Sequence, residues 1–382
     1  MLGLSVYVHF PWCLRKCPYC DFATSPLSRD AIPHVEYADA VLRELAYRQP
    51  ALQGERLVSV FFGGGTPSLW DPRQLGRVVS GIRDAFAQTV DEVEVTVECN
   101  PSSLDQGRAA LLREAGVDRL SIGVQSLDNQ ELAFLGRLHD QKLALEAVDA
   151  ALATHDRVSA DLMFGLPNQA PEQFYAYVNT LLDRGLKHVS AYALTIESAT
   201  PFGDQSRKGL LRPAPDETYA AMFEGNHRLF QARGLSHYEV SNYAVDGEES
   251  RHNLHYWRGG SYLGLGAAAV GCLSVGTGGR RYRNHPDATR YMQRAATQEV
   301  EVFEESLAPK DVIREALMLG LRTHEGVDLA RLAERTGVDP HAGREREIKR
   351  RITSGDLRIE GDRMFVPVER WLMLDGIVAE LF

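Results

Sequence analysis

Between residues 57 and 194 the chain alternates short apolar runs with amphipathic stretches, and this alternation limits the fold more than any other feature. The runs at 57–62, 93–98, 119–123, 158–163 and 188–194 are β-branched, aromatic and mostly apolar along their length, as strands buried on both faces are. Helical patterns at 71–87, 103–115, 128–136, 140–153 and 171–184 separate or follow them, the last stopped by Gly185. Ahead of them lie a strand at 4–10 and an amphipathic helix at 32–48, in which Val35, Ala38, Val41, Leu42 and Leu45 share one face. Six strand-then-helix units predict an α/β protein whose parallel strands are covered by helices, a partial TIM-like (β/α)6 barrel. Polar and glycine residues collect where the strands end, at 63–66, 98–101, 123–125, 161–165 and 193–195. Ligands of parallel barrels gather at that end. An open dinucleotide-binding sheet is the rival, but Gly63-Gly64-Gly65 lacks the Gly-x-Gly-x-x-Gly spacing and a following acidic ribose partner.

The loop after the first strand carries three of the five cysteines, Cys13, Cys17 and Cys20, in a Cys-x3-Cys-x2-Cys arrangement. Such a loop can curl three thiolates around one face of a four-iron cube, leaving the fourth iron open. Zinc held by three thiolates and His9 or His34, or no metal at all, also stays open on the residues alone. An open iron wants a chelating amine and carboxylate. Backbone at Gly64 and Gly65 and the carboxylate of Glu98 suit the ammonium, Arg137 suits the carboxylate, and Gln125 and Asp161 suit ribose hydroxyls. Each of these alone is weak, since an acid at a strand end is often a helix cap. Cys99 and Cys272 stand alone in apolar settings and read as core residues.

A net charge of −10 argues against a general nucleic-acid surface. Residues 1–12 show no basic region ahead of an apolar one, so no export signal is expected. No apolar run reaches the ~20 residues that cross a bilayer. The odd, clustered cysteines then read as reduced thiols in the cytoplasm. Residues 200–217 are rich in Pro, Gly, Lys and Arg and predict a connecting or lid loop. After a helix at 216–233 comes the polar-aromatic stretch His252-Asn253-Leu254-His255-Tyr256-Trp257, then the glycine-rich run 262–268. From 309 onwards three helices, two short strands and a last helix predict a winged-helix-like domain. Its helix at 340–354 is basic but interspersed with Glu345 and Glu347, and reads as a solvated face or an intramolecular dock. Three regions are thus expected: a barrel core over 1–200, a linker and α+β extension over 201–308, and the winged-helix-like region over 309–382.

The cysteine triple, Gly63-Gly64-Gly65-Thr66-Pro67, Glu98, Gln125, Arg137 and Asp161 before Leu162-Met163-Phe164-Gly165-Leu166-Pro167 together resemble the radical S-adenosylmethionine (SAM) proteins. More narrowly, nearly the whole chain resembles the oxygen-independent coproporphyrinogen III oxidase-like family. The resemblance implies a 4Fe-4S cluster on Cys13, Cys17 and Cys20, with SAM on the fourth iron. Tyr7, Tyr19, Gly64, Gly65, Thr66, Glu98, Gln125, Arg137 and Asp161 would line the SAM site. Reductive cleavage of SAM would be chemistry of the cofactor, which the protein orients and shields. Two departures separate this chain from the oxidases: Phe22 stands where they carry a further cysteine, and their N-terminal extension is missing here. Both departures resemble the shorter haem-chaperone group, in which the His-Asn-x-x-Tyr-Trp motif is associated with haem. The implied function is delivery of haem, bound at His252, to a respiratory protein at the inner membrane face; the alternative is oxidative decarboxylation of coproporphyrinogen III. No residue fixes a dimer surface, so a homodimer stays open.

Overall fold

The computed structural model describes residues 3–382. Met1 and Leu2, part of the stretch read for an export signal, lie outside the described residues. Twelve strands form the main sheet among the described residues: β1 (Leu4–Phe10), β2 (Arg56–Gly64), β3 (Gln88–Cys99), β4 (Arg119–Gln125), β5 (Arg157–Phe164), β6 (His188–Ala193), β7 (Ser236–Glu239), β8 (Asn242–Ala244), β9 (Ser261–Leu265), β10 (Val270–Val275), β11 (Gly278–Asn284) and β12 (Glu301–Leu307). Their spatial order is β12-β11-β10-β9-β1-β2-β3-β4-β5-β6-β8-β7. Strands β1 to β6 are parallel and consecutive, which is the expected incomplete barrel, and their inward side chains line common cavities.

The outer helices follow from local sequence. Those at Pro72–Ala85, Gln106–Glu114, Asn129–Phe134 and Gln141–Leu152 begin on Asp71, Asp105, Asp128 and Asp140, each accepting backbone N–H groups of the first turn. Such caps contribute about 1 kcal/mol apiece. These aspartates are thereby committed to structure, whereas Glu98 and Asp161 cap nothing.

One expectation changes, and two regions gain detail. The stretch 200–217 is not all loop: Thr200 caps a short helix, Pro201–Arg207, with the proline at its first position. The polar-aromatic motif is itself helical, Arg251–Trp257. The stretch 201–308 does more than link, because its strands β7 to β12 extend the main sheet on both sides. The glycine-rich run becomes β9, which pairs with β1 in parallel, Tyr7 opposite Gly264. Buried Arg48 ties that flank to the helix His34–Arg48, reaching Glu44 at 2.7 Å, Glu301 at 2.8 Å and Asn284 at 3.0 Å.

At the N-terminal ends of the barrel strands lies a polar floor. Glu94 accepts from Arg157 at 2.6 Å and from the backbone N–H groups of Arg251 and His252 at 3.1 and 3.0 Å. Ser59 bonds both Ser5 (3.0 Å) and the His252 Nδ1 (2.8 Å). Helix Arg251–Trp257 is thus pinned inside the barrel. Beyond β12, helices Pro309–Gly320, Leu329–Thr336 and Glu345–Thr353 and a small sheet of Val327–Asp328, Arg358–Glu360 and Arg363–Phe365 form the winged-helix-like region.

Candidate cofactor site

Buried aromatic rings hold the cysteine loop from behind. Phe10 packs on Trp12 and on Trp70, both at 5.3 Å between centroids, and Trp12 packs edge-on against Tyr37 at 4.8 Å. Each such pair adds about 0.5–1.5 kcal/mol beyond burial. The loop also closes on itself, Trp12–Cys13 pairing with Ser25–Pro26. The glycine run at the end of β2 then clasps it: Gly65 N–H donates to the Phe10 carbonyl (2.7 Å) and Thr66 N–H to the Trp12 carbonyl (2.8 Å). A Cβ on Gly65 would stand 2.3 Å from the Trp12 carbonyl oxygen. One on Gly64, at φ +107°, would meet the His9 ring at 2.5 Å. Only glycine fits either place.

Cys13, Cys17 and Cys20 are free thiols, and all three line one cavity of about 340 Å³ at the barrel mouth. Tyr19, Gly64, Gly65 and Thr66 line the same cavity, as do Glu98, Gln125, Arg137 and Asp161 from successive strand ends and the following loop. The remaining two expected residues, Tyr7 and His252, line a second cavity of about 510 Å³ in the lumen. Gly64, Glu98 and Asp161 border both cavities. Sequence reasoning missed Ser121 and Tyr192, which also border both, and Arg119 on the lumen side. Tyr192, next to last in β6, carried the strand-end signal; Arg119 and Ser121, in the first half of β4, did not.

The electrostatics of the mouth are unbalanced. Arg137 reaches the Cys17 sulfur (3.6 Å), the Tyr19 hydroxyl (3.4 Å) and the Gly123 carbonyl (2.8 Å), while its buried Nε has no partner. Burial pushes the Cys13 and Cys20 thiols up. Metal uptake by this loop must therefore release protons. Glu98 is pushed up to about 8, first by burial and then by Asp161, against one N–H bond from Gly64 at 3.2 Å. Burial raises Asp161 too, opposed chiefly by the Ser190 and Ser121 hydroxyls and by Arg119. Two half-buried carboxyl groups in one wall favour a cationic ligand. Gln125 holds φ +66°, a left-handed conformation that costs a non-glycine residue about 1–2 kcal/mol.

The donor set fits a cube better than a lone ion. A four-iron cluster takes each thiolate on a different iron, so its ligands surround it and do not converge on a point. Among the described residues no three metal-ligating side chains converge on one ion, yet three thiols share one cavity. Neither histidine a zinc site would draw on lines this cavity: both His9 ring nitrogens are bonded, to Tyr7 and the Ala23 carbonyl, and His34 Nδ1 accepts from Asp71 N–H.

His252 is 1% exposed, stacked on Phe61 at 4.9 Å, with Tyr256 edge-on at 4.9 Å. Burial holds its pKa well below the usual value, so the ring is neutral, the form that ligates metals. Its Nδ1 is used by Ser59; its buried Nε2 has no partner.

A parallel half-barrel gathering three cysteines of one loop at its mouth defines the radical SAM class of proteins. Residues 7–181 match the model of the radical SAM superfamily, and residues 307–368 match that of the HemN C-terminal domain. The heme chaperone HemW of Lactococcus lactis is 36% identical over 324 residues, 85% of this chain and 82% of that protein. HemW of Mycobacterium tuberculosis is 34% identical over 383 residues, 99% of this chain and 94% of the relative. Among solved structures, the coproporphyrinogen III oxidase HemN from Escherichia coli matches at TM-score 0.82 and 20% identity, over 99% of this chain and 90% of that one, a likeness of fold. The chain belongs to the HemW/HemN family of the radical SAM superfamily. Membership of that superfamily implies use of a 4Fe-4S cluster and SAM.

Proposed function

We propose that this protein is a haem chaperone of the radical SAM type, which takes up haem and passes it to a respiratory protein at the inner membrane face from the cytoplasm. Cys13, Cys17 and Cys20 would hold the cluster. Glu98 would accept from the amino group of SAM and Arg137 would donate to its carboxylate, with Gln125 and Asp161 on its ribose. A cluster held there would supply an open iron for the amino-acid end of SAM; the protein's part would be to orient that end and keep water from it. Similarity to proteins named heme chaperones supports this reading over porphyrinogen oxidation. So does Phe22 in place of a fourth cysteine, 59% exposed at the border of both cavities.

The observation that carries the haem assignment is the neutral His252 ring with its unpartnered Nε2 in the barrel lumen. Among the described residues no helix is long and apolar enough to cross a membrane, so contact with a membrane acceptor would be peripheral. The test is an anaerobic incubation with dithionite, SAM and coproporphyrinogen III, alongside haem titration of the same preparation. Haem binding without protoporphyrinogen formation is expected; protoporphyrinogen formation would replace this reading with the oxidase. His252→Ala should weaken haem binding about tenfold or more and shift the Soret band while leaving the cluster spectrum intact. Unchanged haem affinity would remove this residue from the site.

A further inference from the structure

Behind the lumen lies a third and larger cavity, of about 710 Å³, between the β9–β11 flank and the helix Pro309–Gly320. Tyr192, Asn253, Tyr256 and Tyr262 face both it and the lumen cavity, so the two adjoin along these side chains. Tyr256 and Tyr262 lie 4.4 Å apart between ring centroids, and Trp257 closes a further side. Such planes suit a flat, largely apolar ligand.

The polar groups of this cavity are unequally satisfied. Arg281 is paired with Glu315 at 2.6 Å, which cancels both charges. Glu239 accepts from Ser241 N–H (2.9 Å) and from the Asn242 side chain, and burial raises its pKa toward the neutral acid. Arg322 and Arg335 are answered only at longer range, by Glu239 and Glu315 respectively. Neither has a carboxylate in ion-pair range among the described residues. Arg322 lies over the Trp257 ring at 5.1 Å, and Arg335 gives one N–H to the Gly259 carbonyl at 2.7 Å. The buried Nε of each, and the Trp257 Nε1, have no partner. Two guanidinium groups without a close ion-pair partner, and the Trp257 indole, therefore border one aromatic-walled space. A half-buried cation without a close counter-ion is costly to hold, and an anionic ligand removes that cost.

We propose that this cavity receives the carboxylates of a flat, dicarboxylate macrocycle, with Arg322 and Arg335 as their counter-ions and Trp257 as an added donor. The assignment rests on the haem reading above, and names the part of the molecule that tells the cargo's acid edge from its apolar face.

Haem and haem dimethyl ester, titrated into the full chain by the Soret band, separate the two ideas. The chain should bind the free acid about tenfold or more tightly than the ester, because charge-assisted bonds to carboxylate are lost on esterification. Raising ionic strength should narrow that preference. Arg322→Gln with Arg335→Gln should abolish it, weakening the free acid about tenfold or more and the ester far less; the melting temperature of this variant checks that it folds. His252→Ala should instead weaken both ligands. Equal affinity of the unaltered chain for acid and ester would overturn the carboxylate assignment and leave the haem reading standing. A preference that survives in the double variant would overturn it too. An unaltered chain that binds neither ligand would end both.

Discussion

Glu94 and Glu98 stand four residues apart on the same face of β3, at opposite ends of one barrel, and both are buried or nearly so. Glu94 meets a guanidinium at 2.6 Å and two backbone N–H groups. Glu98 meets one N–H at 3.2 Å and feels the Asp161 carboxyl group of the same wall. The difference separates structural from chemical use of the same side chain. At the floor the carboxylate is answered from within the chain, by a guanidinium and two N–H donors, so it fixes helix Arg251–Trp257 inside the barrel. At the mouth the carboxyl is under-served and its proton is held too tightly, a state that a cationic ligand would relieve.

The harshest test of this division is Cys13→Ala. Two remaining thiolates do not hold a cube, so iron and sulfide after anaerobic reconstitution should fall to near zero per chain. The melting temperature of the cofactor-free chain should move by only a few degrees, since the floor is untouched. Undiminished iron would show that this loop is not the ligand set. The converse test is Glu94→Gln, which strips Arg157 of its nearest counter-ion, with Glu248 left at 3.4 Å. Breaking a buried pair from one side costs about 3–5 kcal/mol. Chemical denaturation should show that loss while the folded fraction still takes up a full cluster. A loss of cluster at unchanged stability would reverse the roles assigned to the two ends.

The two glutamates also mark how far the sequence could be read. Glu98 was legible because a charged residue closes an apolar run just before Asn100-Pro101, where a parallel strand presents its ligand-facing end. The same strand-end logic picked out Gln125 and Asp161. Glu94 was not legible: its partners Arg157, Arg251 and His252 lie 63, 157 and 158 positions away, and no local pattern announces such pairings. The flank was hidden for the same reason, since β9 pairs with β1 across most of the chain. Helix Pro201–Arg207 was legible in principle from Thr200-Pro201, a cap followed by a first-position proline, but its composition hid it. Arg322 and Arg335 come from the C-terminal region and acquire a role only where that region meets the barrel flank.

The mildest effect expected is that of Glu98→Gln, and it carries a sign. The Glu98 carboxyl is held up at about 8, against 4.5 ordinarily, so the folded state binds its proton more tightly than the unfolded chain does. Its contribution to stability is complete below about pH 4.5 and is lost as pH rises through about 8. The substituted amide would keep an acceptor for Gly64 N–H and never ionise. The cofactor-free Glu98→Gln chain should therefore match the unaltered one near pH 4.5 and exceed it by about 1–3 kcal/mol at pH 9, the excess growing across that window. SAM should act oppositely. In the cluster-free chain, where SAM keeps its ammonium, contact with Glu98 favours the carboxylate and releases a proton. SAM affinity should therefore rise by up to about tenfold per pH unit below about 8 and fall again above it as the ammonium itself loses its proton. The amide variant should bind SAM weakly and without that slope. A slope that persists in the variant would place the titrating group elsewhere in the mouth, with Asp161, the other raised carboxyl of that wall, the first residue to substitute next.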